Sequence, residues 1–483
     1  MLNAHFPYVR RAGRWPHGEE SLHEVIAESY VPLLTMLHDL RAGGRSLPIT
    51  VSLSPVLLEQ LADPVIVDNF VRWLEDMRQR AKTDLAAFEA EGNSHGTYLA
   101  RFYIDWIDVI EHTFVERFGR NLTAAIRSLI RESTEILLAP ATYAYLPPLS
   151  PRELRAQFEA GALVVLRQLG QRPVGVWLPG GGLPATQTYM RELGLRYAVA
   201  GPWERTGILR QRNTLPIVLS DRQLAEHVLA PGIGYPGDGL YREFYRDHPV
   251  SGLSYWRVTG TDVQNEDKDW YDPYLAFSRM EQHADHFVRA IRERLHAAPA
   301  TDSPPTVVVA FDAELFGHWW FEGVRWLQSV VTRLIDAEDI RLVTLNQSYN
   351  TLPELDAATM PFEPNVLFDD PLVASLQERL KQATSSFAAL VKRLPTASGL
   401  AEALLCQAAR ELLLAESSDW VALIATGAAQ DYAQQRFDEH LDRFEQLIRY
   451  TESEEPSPDA ERYLQEIAQL DNPFPFINYR MFA

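Results

Sequence analysis

The chain has 483 residues, 46% of them hydrophobic and 23% charged, which excludes a disordered or fibrous protein and predicts two to three folded domains. There are 65 acidic against 45 basic residues, and a formal net charge of −20 repels nucleic-acid phosphates and anionic lipid. A single cysteine, Cys406, excludes a disulfide framework and a cysteine-based zinc site. With no apolar leader or membrane-length apolar run, we expect a cytoplasmic globular protein without nucleic-acid or membrane partners.

Short β-branched or aromatic runs alternate with long amphipathic stretches over the first 350 or so residues. The predicted strands lie at 2–9, 48–53, 136–145, 174–178, 197–200, 306–311 and 341–345. The predicted helices lie at 22–40, 55–80, 84–118, 122–132 and 151–169. This alternation indicates a parallel α/β fold, and the number of strands favours closure into a barrel over an open sheet.

Two regions interrupt the alternation. Residues 184–247 are rich in loop residues, with Pro-Gly pairs at 231–232 and 236–237, and are predicted to form an inserted domain. Residues 367–483 show helical periodicity almost throughout, which predicts an α-helical C-terminal domain. The barrel-type domain would then comprise residues 1–183 and 248–366.

The segment TVVVAFDAELFGHWWFEG at 306–323 carries the strongest chemical signal. An apolar strand ends at Asp312, and Glu314, His318 and the Trp319–Trp320 pair follow it. The C-terminal ends of strands form the active face of a β/α barrel, and a carboxylate beside flat aromatic rings suits a glycan site. The competing interpretation is that Asp312 caps a loop and that both tryptophans belong to the core.

Three other features give weaker signals of a functional site. The segment VGVWLPGGGLP at 174–184 places three glycines after a strand, but it lacks the dinucleotide and P-loop patterns, which disfavours nucleotide binding. His5 ends the first predicted strand and is either a sugar or metal contact or a satisfied core histidine. His283 and His286 are three residues apart on a predicted helix and do not complete a ligand set. We therefore predict no metal and no cofactor.

Several long strings occur in the order found in one known family. They are LNAHFPYVR at 2–10, YPGDGLYREFYRD at 235–247, AFDAELFGHWWFEG at 310–323 and ARELLLAESSDW at 409–420. On these strings the chain resembles glycoside hydrolase family 57, and within it the glycogen (1,4-α-glucan) branching enzymes. The resemblance implies an incomplete (β/α)7-type barrel with a small inserted domain and a helical C-terminal domain. It also implies an α-glucan partner, namely glycogen, amylose or a maltooligosaccharide.

The resemblance further implies a retaining double displacement with a Glu nucleophile and an Asp acid/base. Asp312 occupies the acid/base position, but the nucleophile position of the family's G-x-W-L-P-E motif is Gly180. Two positions where the family has histidine are Asn3 and Tyr143. The acceptor loop of the family, usually rich in Gly and Trp, reads EPNVLFDDP at 363–371. The predicted substrate contacts are His5, Trp177, Trp319, Trp320 and Tyr235.

These departures predict a catalytically impaired or inactive member that retains α-glucan binding or a regulatory role, with a glycogen-metabolism protein as a possible partner. The alternative is an active branching enzyme, hydrolase or transferase that uses Asp312 with a second carboxylate from Asp238, Glu243 or Glu314. A metal-dependent deacetylase on the same barrel is disfavoured by the loss of the two histidines. A scaffold without glycan affinity is the remaining alternative.

Overall fold

The computed structural model describes residues 1–13, 18–45, 47–130, 134–184, 186–203, 206–210, 214–245, 247–260, 262–264, 267–298, 304–355, 370–453 and 458–483. None of the helices in these ranges is long and apolar enough to cross a membrane. The strands are β1 (Leu2–Ala4), β2 (Ile49–Leu53), β3 (Thr134–Leu137), β4 (Gly175–Trp177), β5 (Tyr197–Trp203), β6 (Gly207–Leu209), β7 (Ile217–Asp221), β8 (Phe311–Asp312) and β9 (Glu354–Leu355).

Seven parallel strands form an almost closed ring. One sheet has the order β3-β2-β1-β8 and a second has the order β4-β5-β7-β6-β9, with β6 antiparallel to β7. A parallel bridge between Leu138 and Val176 joins the two sheets beyond β3. On the other side, the backbone nitrogen of Asp221 donates to the oxygen of Val308 at 2.7 Å, so the segment before β8 lies beside β7. Because isolated bonds replace full ladders at these junctions, the barrel is incomplete, as predicted.

Helices surround the ring and form most of the connections between its strands. They are α1 (Glu19–Val25), α2 (Val31–Ala42), α3 (Pro55–Ala62), α4 (Pro64–Glu91), α5 (Ser94–His112), α6 (Leu122–Ile130), α7 (Pro151–Leu169), α8 (Thr188–Glu192), α9 (Arg222–Leu229), α10 (Pro273–His296), α11 (Gly323–Ile335) and α12 (Leu345–Ser348). A π-helical turn, Ile26–Tyr30, joins α1 to α2. Such turns often occur at functional sites, and Tyr30 of this turn contacts the candidate site described below.

Three sequence predictions differ from the structure. The strand predicted at 341–345 is absent, and helix α12 begins at Leu345. The helix predicted at 84–118 is divided because Gly92, at φ 70°, ends α4 and the Asn93 side chain caps α5. The segment 184–247, predicted to be loop-rich, contributes β5 and β7 to the ring. The strand predicted at 197–200 corresponds to β5, whereas β7 was not predicted; the Pro-Gly pairs lie beyond β7.

The C-terminal region is helical, as predicted, and it packs directly on the barrel. Its helices are α13 (Pro371–Arg393), α14 (Gly399–Ala415), α15 (Ser418–Ala425), α16 (Gln430–Glu452) and α17 (Pro458–Leu470). The turn between α14 and α15 contacts the chain that follows β3. The Thr142 hydroxyl donates to the backbone oxygen of Leu413 at 2.7 Å, and the Ser418 hydroxyl to that of Tyr143 at 2.6 Å. The helical region therefore helps to fix a strand end of the barrel.

Candidate active site

The carboxyl ends of three strands meet around a network of side-chain hydrogen bonds. Asn3 and Asp312 are register partners in neighbouring parallel strands, and Asn3 Nδ2 donates to Asp312 Oδ1 at 2.8 Å. The same amide donates to the Tyr143 hydroxyl at 2.8 Å. Trp177, at the end of β4, donates its indole N–H to that hydroxyl, also at 2.8 Å. The predicted site residues Asp312 and Trp177 are thus linked through Asn3 and Tyr143.

His5 lies beside this network with both ring nitrogens engaged. Its Nδ1 is 2.8 Å from Ser54 Oγ and its Nε2 is 2.9 Å from Asp419 Oδ1. The ring stacks on Tyr143, with centroids 3.8 Å apart and planes within 9°. His5 was predicted to contact substrate, but in this arrangement its nitrogens bind protein atoms and its face covers a tyrosine. It contacts Tyr143 and the helical region through Asp419, and a contact between His5 and substrate stays a prediction.

Glu314 is a buried carboxyl two residues after Asp312. Its Oε1 accepts a hydrogen bond from the backbone nitrogen of His5 at 3.0 Å and another from the Tyr30 hydroxyl. Burial, and next the charge of Asp312, raise the pKa of Glu314 to about 8. Glu314 is therefore protonated at neutral pH and can act as an acid but not as an anionic nucleophile.

The position that the family resemblance assigns to the nucleophile lies in a glycine turn after β4. Residues Pro179–Gly181 form one 3-10 turn, in which Gly180 has φ 60° and Gly181 has φ 71°. This left-handed conformation favours glycine because a Cβ atom would approach the following carbonyl oxygen. A Cβ on the next glycine, Gly182, would lie 2.6 Å from the ring of Pro147. The turn thus has neither a carboxylate at 180 nor a backbone suited to one.

The predicted tryptophan pair separates into two different environments. Trp319 is 49% exposed, and its ring centroid lies 4.5 Å from that of Phe244. The neighbouring Tyr245 is 85% exposed, so these residues form an aromatic surface patch. Trp320 is only 2% exposed and packs against Trp326, with centroids 5.3 Å apart. The prediction that Trp320 contacts substrate is wrong, because its ring belongs to the core.

Tyr235 belongs to a histidine cluster rather than to the network around Asp312. Its hydroxyl is 2.6 Å from His286 Nδ1, and its ring stacks on His283 with centroids 4.4 Å apart. With His227 these side chains line an open cavity of about 660 Å³. A direct contact between Tyr235 and glucan at Asp312 therefore remains a prediction.

Within the described ranges, one group of three side chains has the spacing of a metal site. Ligating atoms of Glu411, His440 and Asp471 lie within 4.8 Å of one another in the helical region. Arg443, however, donates to Asp471 Oδ2 at 2.6 Å, and Arg436 lies 3.3 Å from His440 Nε2. Because arginine side chains already contact Asp471 and His440, the group fits a buried ion-pair network better than a cation site. That the protein needs no metal stays a prediction.

The chain matches the models of two known protein families. Residues 1–361 match the model of glycosyl hydrolase family 57, and residues 379–482 match that of the C-terminal region of 1,4-alpha-glucan branching enzymes. The chain belongs to glycosyl hydrolase family 57.

Family 57 relatives cover both the barrel and the helical region. A 1,4-alpha-glucan branching enzyme of Thermococcus kodakarensis is 30% identical over 98% of this chain and 76% of its own. A probable branching enzyme of Mycobacterium tuberculosis is 30% identical over 90% of this chain and 88% of its own. Among the crystal structures that match 100% of this chain is a branching enzyme of Pyrococcus horikoshii, with 29% identity, 95% of that chain covered and a TM-score of 0.89. Another is the α-amylase AmyC of Thermotoga maritima, with 27% identity, 98% of that chain covered and a TM-score of 0.86.

Sequence reasoning missed two residues at the candidate site of this family 57 member. Asp419 comes from the helical region and reaches His5 across 414 positions of sequence. Phe244 completes the aromatic patch with Trp319. Both lie inside strings that carry the family resemblance, ARELLLAESSDW and YPGDGLYREFYRD, but nothing in their spacing indicates which residue reaches the site. Of the predicted acceptor loop, residues 363–369 lie outside the described residues.

Proposed function

We propose that this family 57 chain binds linear α-glucan on the face around Asp312 and Trp319 and does not perform retaining glycosyl transfer. The observation that carries the proposal is Gly180. A retaining mechanism needs a carboxylate that attacks the anomeric carbon, and the position that the family resemblance assigns to it has no side chain. Loss of a covalent nucleophile lowers the rate by roughly four to six powers of ten in well-studied enzymes.

Retention of glucan binding is supported by the aromatic patch of Trp319, Phe244 and Tyr245. Large exposed aromatic rings mark interaction sites, and a pyranose ring offers a flat apolar face for stacking. Trp319 lies seven residues after Asp312, and its backbone nitrogen donates to the oxygen of Glu314 at 3.1 Å. The patch is thereby attached to the loop that follows β8. The polymers that suit it are glycogen, amylose and longer maltooligosaccharides, and binding without turnover is compatible with regulation through a glycogen-metabolism partner.

An active α-glucan hydrolase, transferase or branching enzyme is the second candidate. Of the three alternative carboxylates, Asp238 faces Arg279 at 3.3 Å and Glu243 pairs with Lys268 at 2.6 Å. Glu314 is different, because its raised pKa makes it a proton donor beside Asp312. A carboxyl group with a raised pKa is suited to the role of general acid. This contrast favours Glu314 over the other two as the partner of Asp312 in an active enzyme.

Titration of the purified protein with maltoheptaose tests the binding proposal. We expect saturable binding that weakens about tenfold in Trp319→Ala, because one stacking platform is removed. Tyr274→Ala is the matched control, since Tyr274 is also an exposed aromatic side chain (75%), in the first turn of α10, and its loss should leave affinity unchanged. Absence of maltoheptaose binding to the wild type, or equal loss in both variants, would contradict the proposal.

A further inference from the structure

Tyr143 adopts a backbone conformation that its residue type avoids. Its φ is 57°, in the left-handed region, where aromatic residues are rare. Strained residues of this kind persist only when surrounding contacts hold them, and they cluster at functional sites. Two such contacts are present. The backbone nitrogen of Tyr143 donates to the oxygen of Pro140 at 3.0 Å, and its oxygen accepts from the Ser418 hydroxyl at 2.6 Å.

The side chain of Tyr143 uses the polar groups that surround Asp312. Its hydroxyl oxygen accepts hydrogen bonds from Asn3 Nδ2 and Trp177 Nε1. A hydroxyl has two lone pairs and one proton, so both of its acceptor positions are occupied. The other proton of the Asn3 amide is donated to Asp312. The two donors next to Asp312 are therefore already bonded inside the protein.

The ring of Tyr143 also covers the remaining candidate contact. It lies 3.8 Å from the His5 ring, almost parallel to it, while Ser54 and Asp419 engage the two His5 nitrogens. A sugar that entered beside Asp312 would have to displace the tyrosine and replace two hydrogen bonds and one stacked face. If a sugar replaced these hydrogen bonds with its own, little binding free energy would be gained. Any protein donor left without a partner would reduce the binding free energy.

We propose that Tyr143 fills the position next to Asp312 that a sugar ring would otherwise occupy, and so makes the site select long glucan segments that lie over Trp319. Glucose and maltose would then have only the open aromatic patch, on which a short sugar makes few contacts, and should bind poorly. This inference rests on the proposed α-glucan binding and names the residue that sets its length preference. Tyr143 is a specificity-determining residue in this account and takes no chemical step.

Titrations of glucose, maltose and maltoheptaose into four proteins test the inference. In the wild type we expect affinity for maltose to be at least about tenfold weaker than for maltoheptaose. Tyr143→Asn and Tyr143→Gly should both gain about tenfold in maltose affinity while affinity for maltoheptaose changes little. Both replacements tolerate positive φ, so they remove the ring without adding backbone strain. Tyr143→Phe retains the ring and should still reject maltose.

The titrations distinguish a failure of length selection from a failure of the proposed α-glucan binding. If the wild type does not bind maltoheptaose, the proposed function fails, and the length selection fails with it. If the wild type binds maltoheptaose and both ring-removing variants bind maltose no better than it does, only the inference is overturned. Equal affinity of the wild type for maltose and maltoheptaose would also overturn the inference alone. A gain of maltose binding in Tyr143→Phe would assign the selection to the hydroxyl instead of the ring.

Discussion

The strand ends after β8 and after β4 carry the positions that the family resemblance assigns to the acid/base and the nucleophile, and the two ends differ in structure. After β8, Asp312 is present and bonded to Asn3, and Glu314 and Trp320 are buried in a packed loop. After β4, the chain forms a glycine turn in which Gly180 has a positive φ and no side chain. The β8 end thus presents carboxyl groups in packed surroundings, whereas the β4 end presents glycine backbone.

This contrast shows that the change at the β4 end is conformational as well as chemical. A Glu at 180 would require a left-handed backbone, and the neighbouring Gly182 packs closely on Pro147. Asn3 and Tyr143, at the positions where the resemblance implies histidines, also bond to each other. Restoration of one carboxylate would therefore not restore the family site.

The largest effect on the free energy of unfolding is expected from a substitution at Gly317, in the loop after β8. Its φ is 102°, and a Cβ atom there would overlap the backbone oxygen of Glu28. We expect Gly317→Ala to lower the free energy of unfolding by more than about 3 kcal/mol, measured by urea denaturation. Gly92→Ala is the matched control, since Gly92 has φ 70° with no atom within 4 Å, and should cost about 1 kcal/mol. Equal costs would show that the β8 loop is not closely packed.

A pH-dependent effect, smaller for each pH unit, is expected from Glu314. Its pKa is raised from 4.5 to about 8, so between these values the folded state holds a proton that the unfolded state has lost. Its contribution to stability is complete below about pH 4.5 and is lost as the pH rises through about 8. The free energy of unfolding of the wild type, relative to Glu314→Gln, should therefore fall by about 1.4 kcal/mol per pH unit in this window.

Denaturation of both proteins at several pH values measures that slope. Glu24, whose pKa is also raised to about 8, is present in both proteins and cancels in the difference. A difference that stays constant from pH 5 to 8 would show that Glu314 is ionised in the folded state. The β8 end would then carry two negative charges, and Glu314 could not act as a proton donor.

The smallest effect on stability is expected at the β4 end. Gly180→Glu should cost about 1–2 kcal/mol because of its positive φ, and Gly180→Asn less, because Asn tolerates this region. Gly180→Glu alone should give little or no branching activity, and its combination with Asn3→His and Tyr143→His should give more. Thermal unfolding measures the first expectation and a branching assay the second. Robust branching by Gly180→Glu alone would mean that only the nucleophile was lost.

Much of the fold, and one half of the candidate site, follows from the sequence. Strand–helix alternation predicts the barrel, and Asp312 is recognisable because an apolar strand ends there. Trp319 and Trp320 could not be told apart, since a loop has no periodicity to show which ring points into the core. The partner of His5, Asp419, depends on how the helical region docks, and no local pattern reports a contact across 414 positions.

The most direct test of the central claim, glucan binding without retaining transfer, is an incubation of the purified wild type with amylose in which branch points and reducing ends are followed together. The account predicts that both stay at the level of a heat-killed control while the same preparation binds maltoheptaose. Robust branching by the wild type that is abolished in Asp312→Asn would contradict it, and would require a nucleophile other than residue 180.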